Sequence, residues 1–352
     1  MKPALFIIER PTPQRAPVLN ELSRRGVPIE VIYLHGDAAE QGWGDVELTH
    51  PHLFADRSAA LTPSAIAGRI TRGHYSVLVS MGYRGGIRVA ALTSARATNL
   101  PTAMRFDTNQ VQIEATDARR RILRRVLMRT LIPRRATAWA IGHQNERFWR
   151  EEIGLTSIVS IPYEVPMLPG NIDAFEFDRT RRSDPDALRF LYVGRLAQIK
   201  NVADAIRAFR RADHAGWTFR IVGTGPDEAS LRALAGDDTR ISFVGSRTYT
   251  RLGADFAESD VLILPSSGEP WGLVVNEALG FGLRVIASDQ VGAAYDLLTP
   301  ETGQMYPVGD VDALLAALED CTHHLEQGSR QPATNTADLM EADLRRLVRV
   351  RP

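Results

Sequence analysis

The sequence has few of the features that mark secreted, membrane-spanning or polyanion-binding proteins. It contains one cysteine, Cys321, so no internal disulfide can form, which fits a reducing compartment. The 42 basic and 42 acidic residues give a formal net charge of zero, so no overall charge attracts nucleic acid. No apolar run approaches the roughly 20 residues of a spanning helix, and the first apolar run is too short for a signal peptide. We therefore expect a cytoplasmic protein that is attached to a membrane surface at most.

Lysine is almost absent. Of the 42 basic residues, 40 are arginine and only Lys2 and Lys200 are lysine. Lys200 follows Arg195 in the segment 192–201, YVGRLAQIKN. An ammonium group is a compact point charge, whereas a guanidinium is a planar fork, so the two differ in how they bind a phosphate in a confined site. One stray lysine can arise by drift, but its spacing from Arg195 favours a phosphate-binding role.

Short apolar segments alternate with helical patterns along both halves of the sequence. In the first half the predicted strands are Ala4–Glu9, Pro28–His35, Ser76–Ser80, Thr102–Phe106, Thr137–Ile141 and Ser157–Ile161. In the second half they are Leu188–Val193, Thr218–Gly223, Arg240–Val244, Val261–Leu264, Arg284–Ala287 and a weaker one near Gln304–Val308. This alternation predicts an α/β protein with mostly parallel sheets and helices on both faces.

A linker is predicted between the two halves, because residues 162–187 contain four prolines and mixed charge without a regular apolar pattern. We predict a Rossmann-like domain over residues 1–165, a linker over 166–187 and a second doubly wound domain over 188–326. Residues 327–352 form a tail whose last helix is expected to pack back toward the first domain. Two such domains would face each other across a cleft.

Residues 264–280, LPSSGEPWGLVVNEALG, set two carboxylates, Glu269 and Glu277, across a predicted loop-to-helix junction. The preceding apolar run, Val261–Leu264, predicts a buried parallel strand. Open α/β sheets bind ligands at the carboxyl ends of such strands, where helix N-termini also lie. A helix start often carries one acid because of the helix dipole. Two acids flanking a Gly-Glu-Pro-Trp-Gly turn favour a ligand site.

The second half resembles the nucleotide-sugar domain of the retaining family 4 glycosyltransferases, which have the GT-B fold of two Rossmann-like doubly wound domains facing across a cleft. The segments that carry the resemblance stand in the family's order: FLYVGRLAQIKN (190–201), IVGTGP (221–226), ISFVG (241–245), DVLILP (260–265), GEPWGLVVNEA (268–278), GLRVIASDQVGAA (282–294) and residues 302–310. The resemblance implies a transferase that moves a sugar from a nucleotide-diphospho-sugar to a hydroxyl acceptor with retention, the first domain binding the acceptor.

The resemblance also implies residue roles. Arg195 and Lys200 would hold the diphosphate and neutralise the charge that grows on the leaving oxygen, so no metal or other cofactor is expected. Glu269, the third residue expected to be catalytic, would contact sugar hydroxyls, and Glu277 would accept hydrogen bonds from the ribose. The further donor-binding residues implied are Gly194, Val244, Gly245, Pro270, Trp271, Gly272 and Leu273.

Three alternatives stay open. Two carboxylates can run glycoside hydrolysis as acid and nucleophile, although Arg195 and Lys200 argue against it. An NAD-type oxidoreductase fits the sheet pattern, but Gly223-Thr-Gly225 lacks the third glycine of the dinucleotide fingerprint. A catalytically silent sugar-nucleotide-binding protein would keep the fold without needing all four charged residues.

The N-terminal half matches the family only in fold and pattern. Arg15, before the first helix, and Tyr83, after a predicted strand, are candidates for the acceptor side, and so are Arg105 and Asp107. Simpler interpretations are a solvated arginine at a helix start and an aspartate that caps a turn.

Residues 119–135, RRRILRRVLMRTLIPRR, carry eight arginines and no acid. Arg121, Arg125 and Arg129 form one predicted stripe of a helix, with leucines roughly opposite. A basic amphipathic helix is typical of contact with anionic membrane. In the alternative, the leucine face joins the core and the arginine face is solvated or meets an acidic acceptor. Nucleic acid is not expected as a partner, because no aromatic residues interleave with the arginines.

Overall fold

The computed structural model describes residues 2–36, 46–110, 113, 117–163, 185–323 and 336–349. The chain divides into two compact units, one made of Met1–Pro166 with Thr334–Pro352 and the other of Met167–Ala333. We call them the N-terminal and C-terminal units. Most of the predicted linker and residues 327–335 of the predicted tail lie outside the described residues. The domain boundaries therefore stay predictions.

The N-terminal unit contains a seven-stranded parallel sheet in the order β3-β2-β1-β4-β5-β6-β7. The strands are β1 Ala4–Ile8, β2 Ile29–Tyr33, β3 His52–Phe54, β4 Val77–Ser80, β5 Thr102–Met104, β6 Thr137–Ala140 and β7 Ile158–Ser160. All residues of β1, β4, β5 and β6 are buried, as expected for central parallel strands covered on both faces. The helices are α1 Ala16–Arg24, α2 Pro63–Thr71, α3 Gly86–Thr98, α4 Ala118–Leu131 and α5 Gly142–Arg147.

The C-terminal unit contains a six-stranded parallel sheet in the order β10-β9-β8-β11-β12-β13. Its strands are β8 Arg189–Val193, β9 Thr218–Val222, β10 Ile241–Gly245, β11 Val261–Leu264, β12 Arg284–Ser288 and β13 Gly303–Tyr306. Its helices are α6 Val202–Arg211, α7 Glu228–Ala235, α8 Tyr249–Ala257, α9 Leu273–Gly280, α10 Ala294–Leu297 and α11 Val311–Asp320. The predicted doubly wound α/β architecture is confirmed in both units.

The last helix, α12 Thr336–Arg349, belongs to the N-terminal unit. Its buried apolar residues recur at helical spacing and join a core cluster with Phe6 and Trp139 of the sheet. They are Ala337, Met340, Leu344 and Leu347. The indole Nε1 of Trp139 also donates a hydrogen bond to Asp343 Oδ2 at 2.7 Å, and both residues are buried. This bond satisfies two polar groups that would be costly to bury unpaired.

Two elements of the N-terminal unit were missed by the sequence analysis. β3 has three residues and no buried side chain, so it leaves no apolar run to detect. The apolar pattern of Asn145–Glu152 predicts one helix, but the chain is α-helical only to Arg147 and continues as a π-helical segment, Phe148–Ile153. A pattern of apolar residues does not distinguish this wider turn from an α-helix.

Each sheet has one point where the winding of the chain reverses. In the N-terminal unit it lies between β1 and β4, and in the C-terminal unit between β8 and β11. In open α/β sheets the loops that follow such a pair of strands splay apart and leave a crevice, where ligands bind. The segments after β1, β4, β8 and β11 are therefore the candidate ligand-binding segments.

The segments that follow β8 and β9 at the carboxyl end of the C-terminal sheet pack with their main-chain atoms in direct contact. A Cβ atom at Gly223 would lie only 1.9 Å from the carbonyl oxygen of Gly194, at a φ of +136° that side chains rarely adopt. The amide of Gly194 donates to Val222 O at 3.0 Å, and the amide of Leu196 donates to Thr224 O at 2.9 Å. The glycine at position 223 therefore sets how closely the segment bearing Arg195 approaches the next loop.

We predict that Gly223→Ala destabilises the protein more than Gly309→Ala does. Gly309 also has a positive φ, +81°, but open space where its Cβ would be, so only the backbone cost of about 1–2 kcal/mol applies there. At Gly223 the clash with Gly194 adds about 1–3 kcal/mol of overpacking. Urea unfolding curves of the two variants measure the difference, and equal losses of stability would contradict the packing described.

Candidate functional site

The predicted donor-site residues lie at the carboxyl edge of the C-terminal sheet. Gly194 and Arg195 follow β8, and Lys200 ends the 3-10 turn Gln198–Lys200 that comes next. Glu269 lies in the loop after β11, the strand that pairs with β8 in this sheet. The isolated lysine and the loop carboxylate, which the sequence pattern indicates separately, thus lie together at the winding reversal of this sheet.

Lys200 and Glu269 form a direct ion pair through Nζ and Oε2. Their side chains are 24% and 15% exposed, so the pair is partly shielded from water but open on one side. Ser266 Oγ lies 3.5 Å from the same carboxylate oxygen. The contact joins positions that lie far apart in the sequence, and the sequence analysis assigned them to different groups of the donor. Partial shielding makes this pair electrostatically stronger than a surface salt bridge.

Main-chain hydrogen bonds fix both ends of this pair. The amide and the hydroxyl of Ser267 donate to Ile199 O at 2.8 and 3.1 Å, which ties the turn bearing Lys200 to the loop after β11. The amide of Glu269 donates to Gln290 O at 3.0 Å, and its carbonyl accepts from Gly292 at 3.0 Å. The loop is thereby held as a short parallel bridge between Glu269 and Val291. The two charged groups are preorganised by the backbone.

The turn after Glu269 leads into α9. Trp271 is buried, and its Nε1 donates to Asn276 Oδ1 at 2.7 Å, which closes the first turn of the helix. Gly272 has a φ of +98°, and a Cβ there would approach Glu269 Cγ to 3.2 Å. The apolar pattern predicts a helix from Trp271, but the helix begins two residues later, at Leu273. Its N-terminal amides, which carry the positive end of the helix dipole, therefore lie directly after the Glu269 loop.

The remaining predicted donor-site residues line the same edge. Glu277 is buried within α9, and Pro270 lies between Glu269 and Trp271. Gly245 ends β10 with a φ of +75°, at a register shift next to Val244. Arg195 is exposed. Among the residues that the structure describes, its guanidinium has no ion-pair or hydrogen-bond partner that a ligand would have to displace.

Tyr192 supports the segment that bears Arg195 through a side-chain hydrogen bond. Burial raises the pKa of the Tyr192 phenol, and the nearby charge of Glu269 raises that pKa further. The hydroxyl therefore stays protonated and donates to the carbonyl oxygen of Arg195 at 3.0 Å. The sequence analysis did not identify this role, because nothing in the local pattern separates Tyr192 from an ordinary core residue of a strand.

The four acceptor-side candidates occupy different environments in the N-terminal unit. Arg15 is the partly buried residue that precedes α1. Arg105 is buried and donates to Ile161 O at 2.7 Å and to Pro162 O at 2.8 Å, so it holds the end of the β7 segment. Asp107 is exposed. Tyr83 alone of the four lines a cavity of about 530 Å³, together with Phe106 and three arginines that the sequence analysis did not select.

Among the described residues, no group of three His, Cys, Asp or Glu side chains is arranged to hold a metal ion. In the same part of the chain, no helix has the length and apolar character needed to cross a membrane.

Comparison with known proteins finds a family model that matches most of the C-terminal unit. Residues 187–324 match the family model described as Glycosyl transferases group 1. Glycogen synthase of Mycobacterium tuberculosis (strain CDC 1551 / Oshkosh) is 34% identical over 161 residues, which is 44% of this chain and 39% of that protein. The chain thus spans well under half the length of this relative.

Several solved structures match nearly the whole chain. The lipopolysaccharide outer core galactosyltransferase WaaB, in its apo form, has a TM-score of 0.66 at 16% identity, over 99% of this chain and 96% of that chain. HepE of Anabaena, in complex with UDP and glucose, has a TM-score of 0.63 at 15% identity, over 98% of this chain and 97% of that chain. At this identity the likeness is one of fold. The chain therefore has the GT-B fold, and its residues 187–324 match the glycosyl transferases group 1 model.

Proposed function

We propose that this protein is a retaining, metal-independent glycosyltransferase of hexosyltransferase type that moves a sugar from a nucleotide-diphospho-sugar to a hydroxyl acceptor. The observation that carries the proposal is the Lys200–Glu269 ion pair beside the exposed Arg195, at the winding reversal of the C-terminal sheet. Two cations and one carboxylate at this place suit a ligand that joins a charged diphosphate to a sugar.

The two cations act on the leaving group. When the bond from the sugar to the diphosphate breaks, negative charge grows on the leaving oxygen, and fixed cations stabilise that charge more in the transition state than in the ground state. The planar guanidinium of Arg195 binds two phosphate oxygens at once, and the compact ammonium of Lys200 binds one. These two side chains supply the positive charge that a divalent metal provides in other enzymes.

Glu269 positions the sugar. Its carboxylate accepts hydrogen bonds, and the ion pair with Lys200 holds it beside the diphosphate site. The first amides of α9 donate to the same region, and Glu277, in the next turns of that helix, accepts from the ribose. With both acids used for binding, the leaving phosphate takes the proton of the acceptor hydroxyl on the same face of the sugar, which gives retention.

The comparisons support a nucleotide sugar as donor. The matched family is named for glycosyl transfer, and HepE, which shares the fold, is described in complex with UDP and glucose. An NAD-type oxidoreductase has no comparable support. A catalytically silent sugar-nucleotide-binding protein is separated from an enzyme by turnover, which the following experiment measures.

We predict that Lys200→Ala lowers donor turnover about 100-fold or more while the protein stays folded, since loss of one donor to a developing negative charge has that effect. A thermal-shift screen against UDP-, GDP-, ADP- and dTDP-sugars first identifies the donor, because a ligand that binds the folded state raises its apparent stability. Release of the nucleoside diphosphate then measures turnover.

The matched control is Lys2→Ala, which removes the other lysine of the chain, in the N-terminal unit. It should keep the turnover of the wild type. If Lys200→Ala turned over the donor as fast as Lys2→Ala, the assignment of the donor site would be wrong. If the wild type bound a donor but neither hydrolysed nor transferred its sugar, the protein would be a silent binder.

We further propose that the protein works in the cytoplasm, at the inner face of a membrane that it contacts through residues 119–135. Arg121 and Arg125 of α4 turn inward and bind the buried carboxylate of Glu152, Arg125 at 2.7 Å. The apolar side chains turn outward: Leu123 is 70% exposed and Leu127 is 47% exposed. The leucine face thus does not join the core, and the alternative interpretation of this helix is wrong.

The occupant of this face is best matched by an anionic lipid surface. Ile122 and Val126, 60% and 58% exposed, extend the apolar patch along the helix. Exposed arginines flank it at both ends of the segment; they are Arg119, Arg120, Arg134 and Arg135. An amphipathic helix with an apolar face and a cationic rim lies in the plane of an anionic bilayer, its apolar side chains below the headgroups.

We predict that the double variant Leu123→Glu, Leu127→Glu loses binding to phosphatidylglycerol-containing vesicles in a flotation assay. Burying two carboxylates among acyl chains is unfavourable, and their charge opposes that of the lipid. Wild type should bind these vesicles, bind pure phosphatidylcholine weakly, and release at high salt. Met305→Glu is the control, since Met305 is 44% exposed in the other unit. Equal binding by all three proteins would refute the contact.

A further inference from the structure

A cavity of about 530 Å³ opens at the winding reversal of the N-terminal sheet. Glu9 follows β1, Gly82 and Arg84 follow β4, and Phe106 follows β5, so three strand ends contribute to it. Its place in this sheet corresponds to that of the Lys200–Glu269 site in the other sheet. The sugar transfer proposed above uses none of its charged residues, and Arg124 alone of them lies in the segment proposed to contact a membrane.

Arg88 is the central residue of this cavity. It is 4% exposed, and its Nη1 donates to Glu9 Oε2 at 2.6 Å. Its Nε and Nη2 atoms are also buried, and they have no hydrogen-bond partner among the residues that the structure describes. A buried charged donor without a partner costs free energy, and arginine does not relieve that cost by losing its proton. These two nitrogens are therefore prepared to bind an anion.

Further positive charge surrounds Arg88. Arg84, which is exposed, and Arg124, which extends from α4, line the same cavity. α3 begins at Gly86, directly after the loop, so the positive end of its dipole lies close by. The side chains described around the cavity include three arginines and one carboxylate, that of Glu9. The excess of positive charge suits a phosphate, which carries close to two negative charges at neutral pH.

The other wall of the cavity is aromatic. The rings of Tyr83 and Phe106 lie with their centroids 5.5 Å apart, and both residues line the cavity. An aromatic wall binds the less polar body of a ligand while the arginines bind its charged group. The cavity is thus divided into an anionic-group site and a body site.

We propose that this cavity binds the sugar acceptor and that the acceptor carries a phosphate group, held by Arg88 with Arg84 and Arg124. The proposal rests on the transferase function proposed above for the acceptor role, but the anion site itself is argued from the N-terminal unit alone. The phosphate belongs either to a soluble phosphomonoester or to a lipid headgroup, since both present the same oxygens to the three guanidinium groups.

Calorimetric titration tests the site with two probes, glycerol 3-phosphate and dihexanoyl phosphatidic acid below its micelle-forming concentration. We expect wild type to bind at least one of them, and not to bind glycerol, with an affinity that falls as salt is added. The double variant Arg84→Ala, Arg124→Ala keeps the buried Arg88 and so the packing of the sheet end. It should bind at least about tenfold more weakly, since each lost charge-assisted hydrogen bond has an effect of that size.

Arg72→Ala is the matched control, because Arg72 is an exposed arginine of the same unit outside this cavity. It should bind as wild type does. Binding of both probes identifies a soluble phosphate as sufficient, and binding of the short-chain lipid alone identifies a lipid headgroup; either supports the site. No binding of either probe, or equal binding by the double variant, overturns it.

Donor turnover distinguishes this proposal from the proposed function. If wild type binds phosphate but Lys200→Ala turns over the donor as wild type does, the anion site remains and its role as an acceptor site is wrong. If Lys200→Ala loses turnover and neither phosphate probe binds, the transferase assignment remains and the phosphate-bearing acceptor is wrong.

Discussion

The pairing of β8 with β11 is the constraint on which the proposed donor site depends. These strands are not consecutive in the chain, yet Val261 lies beside Phe190 and Leu262 beside Leu191 in the parallel ladder. Parallel strands end at the same edge of their sheet, so the segment after β8 and the loop after β11 meet there. The Lys200–Glu269 ion pair is the consequence. Burial of the strands on both faces makes their register costly to change.

The same constraint acts in the N-terminal unit with different side chains. There β1 pairs with β4, and the strand ends bring Glu9 together with Arg88, the third residue of α3. One sheet therefore presents an ammonium, a guanidinium and a carboxylate, and the other presents three guanidinium groups, one of them buried and incompletely paired. A shared architecture supports different chemistry because the loops and helices that follow the strands, and not the strands themselves, carry these side chains.

Much of the fold was predictable because its signals are local. The buried strands are short apolar runs, and each is bounded by glycine, proline or polar residues, so their number and parallel arrangement followed from the pattern. β3 escaped because an edge strand without buried residues has no such signal. The direction of α4 was left open for a related reason. Its arginine and leucine stripes are both visible in the sequence, and only the position of Glu152 decides that Arg121 and Arg125 turn inward.

The sequence by itself determined the α/β architecture. It also indicated the residues of the proposed donor site, through the isolated Lys200, the Glu269 loop and their order along the chain. It did not determine that Lys200 and Glu269 bind each other, that Tyr192 supports Arg195, or that Arg88 is buried with two unpaired nitrogens. Those facts depend on which strands become neighbours and on which side chains reach the same volume. Such contacts join residues distant in sequence, and only the tertiary packing around each sheet decides them.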